Sequence, residues 1–375
     1  MPTKNKKTKT KPRAKVAKKS AKKVIKKRVK TGKSKTPSLV LKKSHYNPII
    51  SPHGHHESWE GFQTFNPGTL IIEDKIHFLY RAIGSDGMSR LGYAASNNGL
   101  SIDERLSYPV FTHETKGRSF NVFSYFSGGS WGGAEDPRIV RVGQEDKLYM
   151  TYTACNGDLR VGLTSIKVDD FLNKEWNWES PVLLSPPNQL HKNWLLFPEK
   201  INGKYAFLLS IVPEIEISYF DDLDFDGSSF INSTRGFGPI KNNLNKRSWD
   251  KWVRGAGPVP LKTKHGWLVF YHAMDNDWSK YKVGAMLLDL NNPAKVIARA
   301  KAPVLTPSEE YEHNGFKGGV VYASGAVVKD GELLVYYGAA DSCVCVAHID
   351  SDEFIDALIK HKEPKLKLEN IKLKA

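Results

Sequence analysis

Cysteine is nearly absent from this chain, occurring only at positions 155, 343 and 345 of 375 residues. That scarcity excludes a disulfide scaffold and points to a reducing compartment, the cytoplasm. Cys343 and Cys345 are two apart, a spacing that puts both on one face of a strand and suits neither a zinc knuckle nor a redox CxxC. Long apolar runs are missing too. No stretch reaches the length of a membrane span, and Val24-Ile25 is far too short for the core of a secretory signal. Long periodic helices are lacking; the one helical turn expected is at 352–359, where Phe354, Ala357 and Leu358 share a face.

Acidic residues are absent from positions 1–43, which hold 19 of the 55 Lys and Arg and no aromatic. The remaining 36 basic residues face all 40 Asp and Glu, so the formal charge of +15 belongs to the tail and the body is mildly acidic. A segment of Lys, Thr, Ser and Ala buries too little apolar surface to offset the entropy of ordering, and residues 1–43 are expected to be disordered. Their charge suits an electrostatic contact with nucleic acid or an anionic surface; a plain solvated extension is the other reading. A nucleic-acid-associated protein acting mainly through this tail is a separate hypothesis, which the acidic body disfavours. The body is expected over residues 44–362, with a Lys-rich extension at 363–375.

What is present in the body is β-structure. Aromatic and β-branched runs alternate with Gly, Asn, Asp and Pro clusters. Five times a polar turn leads into a mostly apolar run: Lys75–Arg81, Lys147–Thr153, Lys204–Ser210, Gly266–His272 and Gly331–Tyr337. The turn residues Asp74, Glu145, Asn202, His265 and Asp330 are spaced by 71, 57, 63 and 65 residues. That interval is too long for a hairpin and right for a four-stranded sheet. The repeat therefore predicts an all-β fold, a five-bladed β-propeller. An open sandwich of five hairpins is the alternative; near-equivalent units favour closure, which removes exposed sheet edges.

Several polar clusters sit between the repeats. In Gly132-Gly133-Ala134-Glu135-Asp136-Pro137-Arg138, Pro137 restricts its predecessor and fixes Asp136 just before a strand, as a candidate catalytic acid or as a turn carboxylate paired with Arg138. Lys192 and Asn193 precede the third repeat, where they suit an anion and a hydroxyl, or surface pairing. His272 occupies the repeat position of Arg81. Asp341, after the fifth repeat strand, suits vicinal hydroxyls or a turn. Nine Trp and fifteen Tyr serve sugar stacking and propeller cores equally well.

Taken in order, the stretches Asn47-Pro48-Ile49-Ile50, Phe65-Asn66-Pro67-Gly68, Leu79-Tyr80-Arg81-Ala82, Ser89-Arg90-Leu91-Gly92, Glu135-Asp136-Pro137-Arg138, Leu196–Lys200, Gly255-Ala256-Gly257-Pro258, Tyr271-His272 and Tyr336–Asp341 resemble glycoside hydrolase family 130, the β-mannoside phosphorylases and β-mannosidases. The resemblance covers nearly the whole body and implies a five-bladed propeller. It implies Asp136 as general acid of an inverting reaction, its proton relayed through a sugar hydroxyl rather than delivered by one of two flanking carboxylates. It places Asn66, Arg81, Arg90 and Asp341 on the mannosyl-binding side. It puts Lys192, Asn193, Arg254, His272 and Tyr281 on the phosphate side. No metal or organic cofactor is implied; a β-mannoside oligosaccharide and inorganic phosphate are the expected partners.

The phosphate set departs from the family pattern. Lys192 stands where arginine is common, and Leu209–Pro213 holds no arginine where one is usual. Arginine is the preferred planar donor to phosphate. The expectation is phosphorolysis of β-mannosides to mannose 1-phosphate, with hydrolysis as the alternative. Water would need a base, and Glu214, Glu216, Glu309, Glu310 and Glu312 are the available carboxylates, Glu214 foremost because it adjoins the altered segment. A sugar-binding propeller without turnover is the third reading.

Overall fold

The computed structural model describes residues 39–55, 58–115, 128–233, 240–241, 249–274 and 280–360. The expected tail before residue 39 and the extension after residue 362 lie outside the described residues. The chain there is mostly β. The principal strands are β1 (Lys42–Lys43), β2 (Gln63–Ile72), β3 (Lys75–Ile83), β4 (Met88–Ser96), β5 (Gly132–Arg141), β6 (Lys147–Cys155), β7 (Leu159–Lys167), β8 (Tyr205–Ser210), β9 (Glu216–Phe220), β10 (Trp252–Ala256), β11 (Gly266–Met274), β12 (Lys282–Leu288), β13 (Val321–Lys329), β14 (Glu332–Ala339) and β15 (Cys343–Asp350). Helix α1 (Val168–Asn173) is too short to leave a periodic signature in the sequence. Helix α2 (Ser351–Lys360) extends the expected 352–359 turn and buries Phe354, Ile355, Ala357 and Leu358.

Each apolar run of the sequence repeat is the middle strand of an antiparallel group: β3, β6, β8, β11 and β14. The groups β2-β3-β4 and β5-β6-β7 are joined into one larger sheet by a short parallel contact, Met88 to Gly132 and Ser89 to Gly133. β8 pairs with Leu195–Leu196 on one side and with β9 on the other, and β10, β11 and β12 lie in a fourth group. In the fifth, β13-β14-β15 is completed by β1, where Lys42 pairs with His348 and Lys43 with Ala347. Lys42 and Lys43, inside what the sequence marks as tail, are thus part of the fifth group. Lys43 has a specific partner: its Nζ donates to Glu312 Oε2 at 2.5 Å and to Ser308 Oγ at 2.8 Å.

The middle strands lack polar alternation because both of their faces are buried, so successive side chains enter different cores. In β11, Leu268 and Phe270 join a cluster with Leu333, Val335 and Tyr337 of β14. Its intervening Trp267, Val269 and Tyr271 join one with Ala206 and Leu208 of β8. In β8, Tyr205, Phe207 and Leu209 pack with Val140 of β5 and Val161 of β7. Leu148, Met150 and Tyr152 of β6 pack with Leu79 of β3. Ile76, Phe78 and Tyr80 of β3 pack with Leu334 and Tyr336 of β14. Each group thus shares an apolar core with the next, and the fifth shares one with the first.

The first strands of four groups carry β-bulges at matching places. In β2 the register steps from Phe65–Arg81 to Gly68–Leu79, leaving Asn66 and Pro67 opposite one residue. In β5 it steps from Glu135–Thr153 to Arg138–Thr151, leaving Asp136 and Pro137. β10 is bulged at Arg254 and β13 at Ser324. Pro67 and Pro137 are tolerated because a bulge leaves the extra residue outside the hydrogen-bond ladder.

Candidate active site

One cleft is lined by Asn66, Asp136, Lys192, Asn193, Arg254, Tyr281, Lys317, Val320, Tyr322 and Asp341. Three of these, Asn66, Asp136 and Arg254, sit on the bulges just described. Asn66 and Asp136 have φ of 44° and 48°, a left-handed conformation that Asn and Asp adopt more readily than other side chains. The bulge re-aims the side chain out of the alternation of the strand. Asp136 therefore lies within a strand rather than just before one, and its partner is not Arg138. Arg138 Nη1 donates to the Asp136 backbone carbonyl at 2.8 Å, while the carboxylate Oδ1 accepts from Asn66 Nδ2 at 2.8 Å and Arg81 Nη1 at 3.3 Å.

Arg81 is fully buried behind this pair and does not line the cleft. Its Nη2 donates to Glu135 Oε1 at 2.9 Å and to Ser130 Oγ at 3.2 Å, and its Nε to Ser89 Oγ at 3.0 Å. The guanidinium also lies over the Phe65 ring, 4.6 Å from its centroid. Burial pushes the Asp136 carboxyl up, but Arg81, Lys192 and Arg138 together pull harder, and its pKa falls below the ordinary aspartate value. Asp341, in the β14–β15 turn, is moved the other way. Its burial outweighs the attraction of Lys317, Arg81 and Lys192 and raises it.

The same lining holds three cations, Lys192, Arg254 and Lys317. Arg254 Nε donates to Tyr281 Oη at 2.8 Å. Tyr322 Oη donates to Asn193 Oδ1 at 2.7 Å. Lys192 and Asn193 are half-buried, and Asn193 has a φ of 64°. Lys317, Val320 and Tyr322 were not indicated by the sequence motifs; Lys317 and Val320 precede β13 and Tyr322 lies within it.

Besides Arg81, two further expected site residues fall outside the cleft lining. Arg90 is held by a forked pair to Asp86, with Nη2–Oδ2 at 2.6 Å and Nη1–Oδ1 at 3.1 Å. His272 is buried behind Tyr322, with ring centroids 3.9 Å apart and Nε2 2.8 Å from the Ala323 carbonyl. Burial and the nearby Arg138 bring its pKa down to about 3, so it carries no charge at neutral pH. Its Nε2 must donate to the carbonyl, which leaves Nδ1 without a proton to offer an anion. The Glu candidates for a base are also elsewhere. Glu214, Glu309 and Glu310 are exposed, Glu216 accepts from Ser233 Oγ at 2.7 Å, and Glu312 is paired with Lys43. None of them lines the cleft. Asp136 and Asp341 are its lining carboxylates.

A second, more open cleft is lined by residues that include Trp176, Trp178, His113, Glu114 and Glu179, with no Lys or Arg. It offers no cation for an anion. Among the described residues no three His, Cys, Asp or Glu cluster so as to hold a metal ion, and no helix is long and apolar enough to cross a membrane.

Residues 33–360 match the family model described as beta-1,4-mannooligosaccharide phosphorylase. The chain is 36% identical over 326 residues to the 1,2-beta-oligomannan phosphorylase of Thermoanaerobacter sp. (strain X514), covering 83% of this chain and 98% of that protein. It is 34% identical over 323 residues to the beta-1,2-mannobiose phosphorylase of the same organism, covering 82% and 96%. The structure of the beta-1,2-mannobiose phosphorylase from Listeria innocua, solved with beta-1,2-mannobiose, superposes with a TM-score of 0.63 at 25% identity over 85% of this chain and 99% of that one.

Proposed function

The chain belongs to glycoside hydrolase family 130, and from that membership we propose that it cleaves β-mannosides by inverting phosphorolysis to give α-mannose 1-phosphate. The observation that carries this reading is the cleft wall: Lys192, Arg254 and Lys317 face the same space as Asp136, and no Glu candidate for activating water is there. A phosphate needs several fixed donors, and this wall supplies them without His272 or an arginine from the third repeat. Hydrolysis would need a base beside the cleft, and in this reading the second lining carboxylate, Asp341, is engaged by the mannosyl ring.

In the proposed reaction a phosphate oxygen forms the new bond to C1 on the face opposite the leaving sugar. The C1–O bond to that sugar breaks, and the departing oxygen takes a proton originating on Asp136, relayed by a mannosyl hydroxyl. Asn66 and Asp341 hold the mannosyl ring, and Arg81 orients Asp136 from behind. Arg81 and Lys192 favour the ionised Asp136. A phosphate dianion beside Lys192 offsets part of that pull and raises the carboxyl toward the protonated form that an acid requires.

The proposed architecture is one catalytic five-bladed β-propeller spanning residues 44–362, preceded by β1. Five antiparallel groups whose apolar cores link each to the next, and the fifth to the first, support it. A cytoplasmic site of action is proposed as well, since Cys343 and Cys345 are buried free thiols 3.9 Å apart.

The test is incubation with β-1,2- and β-1,4-mannobiose, with and without inorganic phosphate. Mannose 1-phosphate should appear only with phosphate, and Asp136→Asn should lower turnover by about 10²- to 10⁴-fold while the protein stays folded. Free mannose formed equally well without phosphate would refute the reading in favour of hydrolysis.

A further inference from the structure

We propose that Lys317 is a phosphate-binding residue of this enzyme, a role that rests on the phosphorolysis reading above. It lies outside every repeat strand, on the segment that leads into β13, yet it lines the same cleft as Asp136. Two backbone anchors fix that segment. The Lys317 N–H donates to the Ala340 carbonyl at 2.9 Å, beside Asp341. The Tyr281 N–H donates to the Gly319 carbonyl at 3.0 Å. Lys317 is thereby held between the turn that carries Asp341 and the start of β12.

Its ammonium lies beside Tyr281. Nζ lies 5.6 Å from the centroid of the Tyr281 ring, whose hydroxyl accepts from Arg254. Lys317, Tyr281 and Arg254 thus form one continuous side of the cleft. Charge supports the same assignment. The lining gathers Lys192, Arg254 and Lys317 around the same space as Asp136 and Asp341. The third repeat strand brings no cation to it. Ser210 donates its hydroxyl to the Val212 carbonyl at 2.8 Å, and neither residue reaches the cleft. Lysine can serve here because it acts on phosphate as a compact point charge rather than a planar fork.

A competing role is support of Asp341, on whose carboxyl Lys317 exerts the strongest attraction of any neighbouring charge. The two roles separate in steady-state kinetics. Lys317→Met should raise KM for inorganic phosphate in phosphorolysis, and KM for α-mannose 1-phosphate in the reverse synthesis, by about 10- to 100-fold, as loss of one hydrogen bond to a charged group implies. KM for mannobiose should move by less than about twofold, since the sugar contacts are kept. Lys317→Arg should recover most of the phosphate affinity. The proposal is overturned if KM for phosphate is unchanged, or if the increase falls on mannobiose instead. Calorimetric titration with inorganic phosphate keeps the inference separate from the reading beneath it. Equal binding by wild type and Lys317→Met overturns the role of Lys317 alone. A wild type that neither binds phosphate nor responds to it in turnover overturns both.

Discussion

Asp136 and His272 show how position inside the fold, rather than residue type, sets what a titratable group can do. Both are buried, yet Asp136 keeps its charge because Arg81 and Lys192 reward it, whereas His272 has Arg138 nearby and loses its charge. His77 is similar, brought down to about 4 by burial against Phe171 and Tyr93. For a histidine whose folded pKa is depressed, the unfolded chain takes the proton first. Stability is then whole above the unfolded value near 6.5 and is lost as pH falls toward the folded one. Each such histidine should contribute about 1.4 kcal/mol per pH unit across that window. Urea denaturation of wild type between pH 7 and 4.5 should show the slope of both histidines, and His272→Gln, which keeps a donor for the Ala323 carbonyl, should reduce it by about 1.4 kcal/mol per pH unit and leave the His77 share. An unchanged slope in the variant would show that His272 is not responsible.

At the scale of the strand, the recurrent device is a bulge in the first strand of a group. It presents Asn66, Asp136 and Arg254 to one cleft although they lie far apart in sequence. The bulge in β2 is seated against β14 by a close approach at Gly338. A Cβ there would lie 2.1 Å from Asn66 Oδ1 and 3.0 Å from the Asn66 backbone nitrogen. Gly338→Ala should therefore displace the Asn66 amide from Asp136. A misplacement of about 1 Å costs on the order of 10²-fold in rate, and kcat/KM for mannobiose should fall by about that much. The circular dichroism spectrum should stay that of the wild type. Normal kinetics in the variant would mean that Asn66 is not held by this contact. The Asn-Pro and Asp-Pro pairs were legible as special positions in the sequence. That both mark bulges was not, because a bulge is defined by the partner strand.

For the body as a whole, the residues ahead of Ser44 matter to the fifth group. β1 adds to β15, and Lys43 crosses to Glu312, a carboxylate whose side chain is entirely buried. Glu312 also accepts from the Tyr337 hydroxyl at 2.9 Å and from the Glu309 and Ser308 backbone N–H groups at 2.9 and 2.6 Å. Removing its cation leaves a buried charge with neutral donors alone. Lys43→Ala should destabilise the protein by about 3 kcal/mol, the low end for breaking a buried pair because Lys43 is partly exposed. Chemical denaturation would measure it. A change under about 0.5 kcal/mol would indicate that the pair is screened like a surface one.

The sequence by itself determined the β class, the five middle strands and the order of the polar clusters between them. Those features are local: a turn, an apolar run and a Pro-restricted residue are read within a few positions of one another. Through its resemblance to glycoside hydrolase family 130 the sequence also implied Asp136, Asn66, Asp341, Lys192, Asn193, Arg254 and Tyr281 as a set. The tertiary structure alone decided which of the expected residues face the cleft. It withdrew Arg81 and His272 behind the wall, tied Arg90 to Asp86, and left the Glu candidates elsewhere. It also brought in Lys317 from a segment with no motif. The reason is physical. Whether a side chain meets solvent, a core or another charge depends on strands tens to hundreds of residues away, and on bulges that turn a residue out of its strand's alternation.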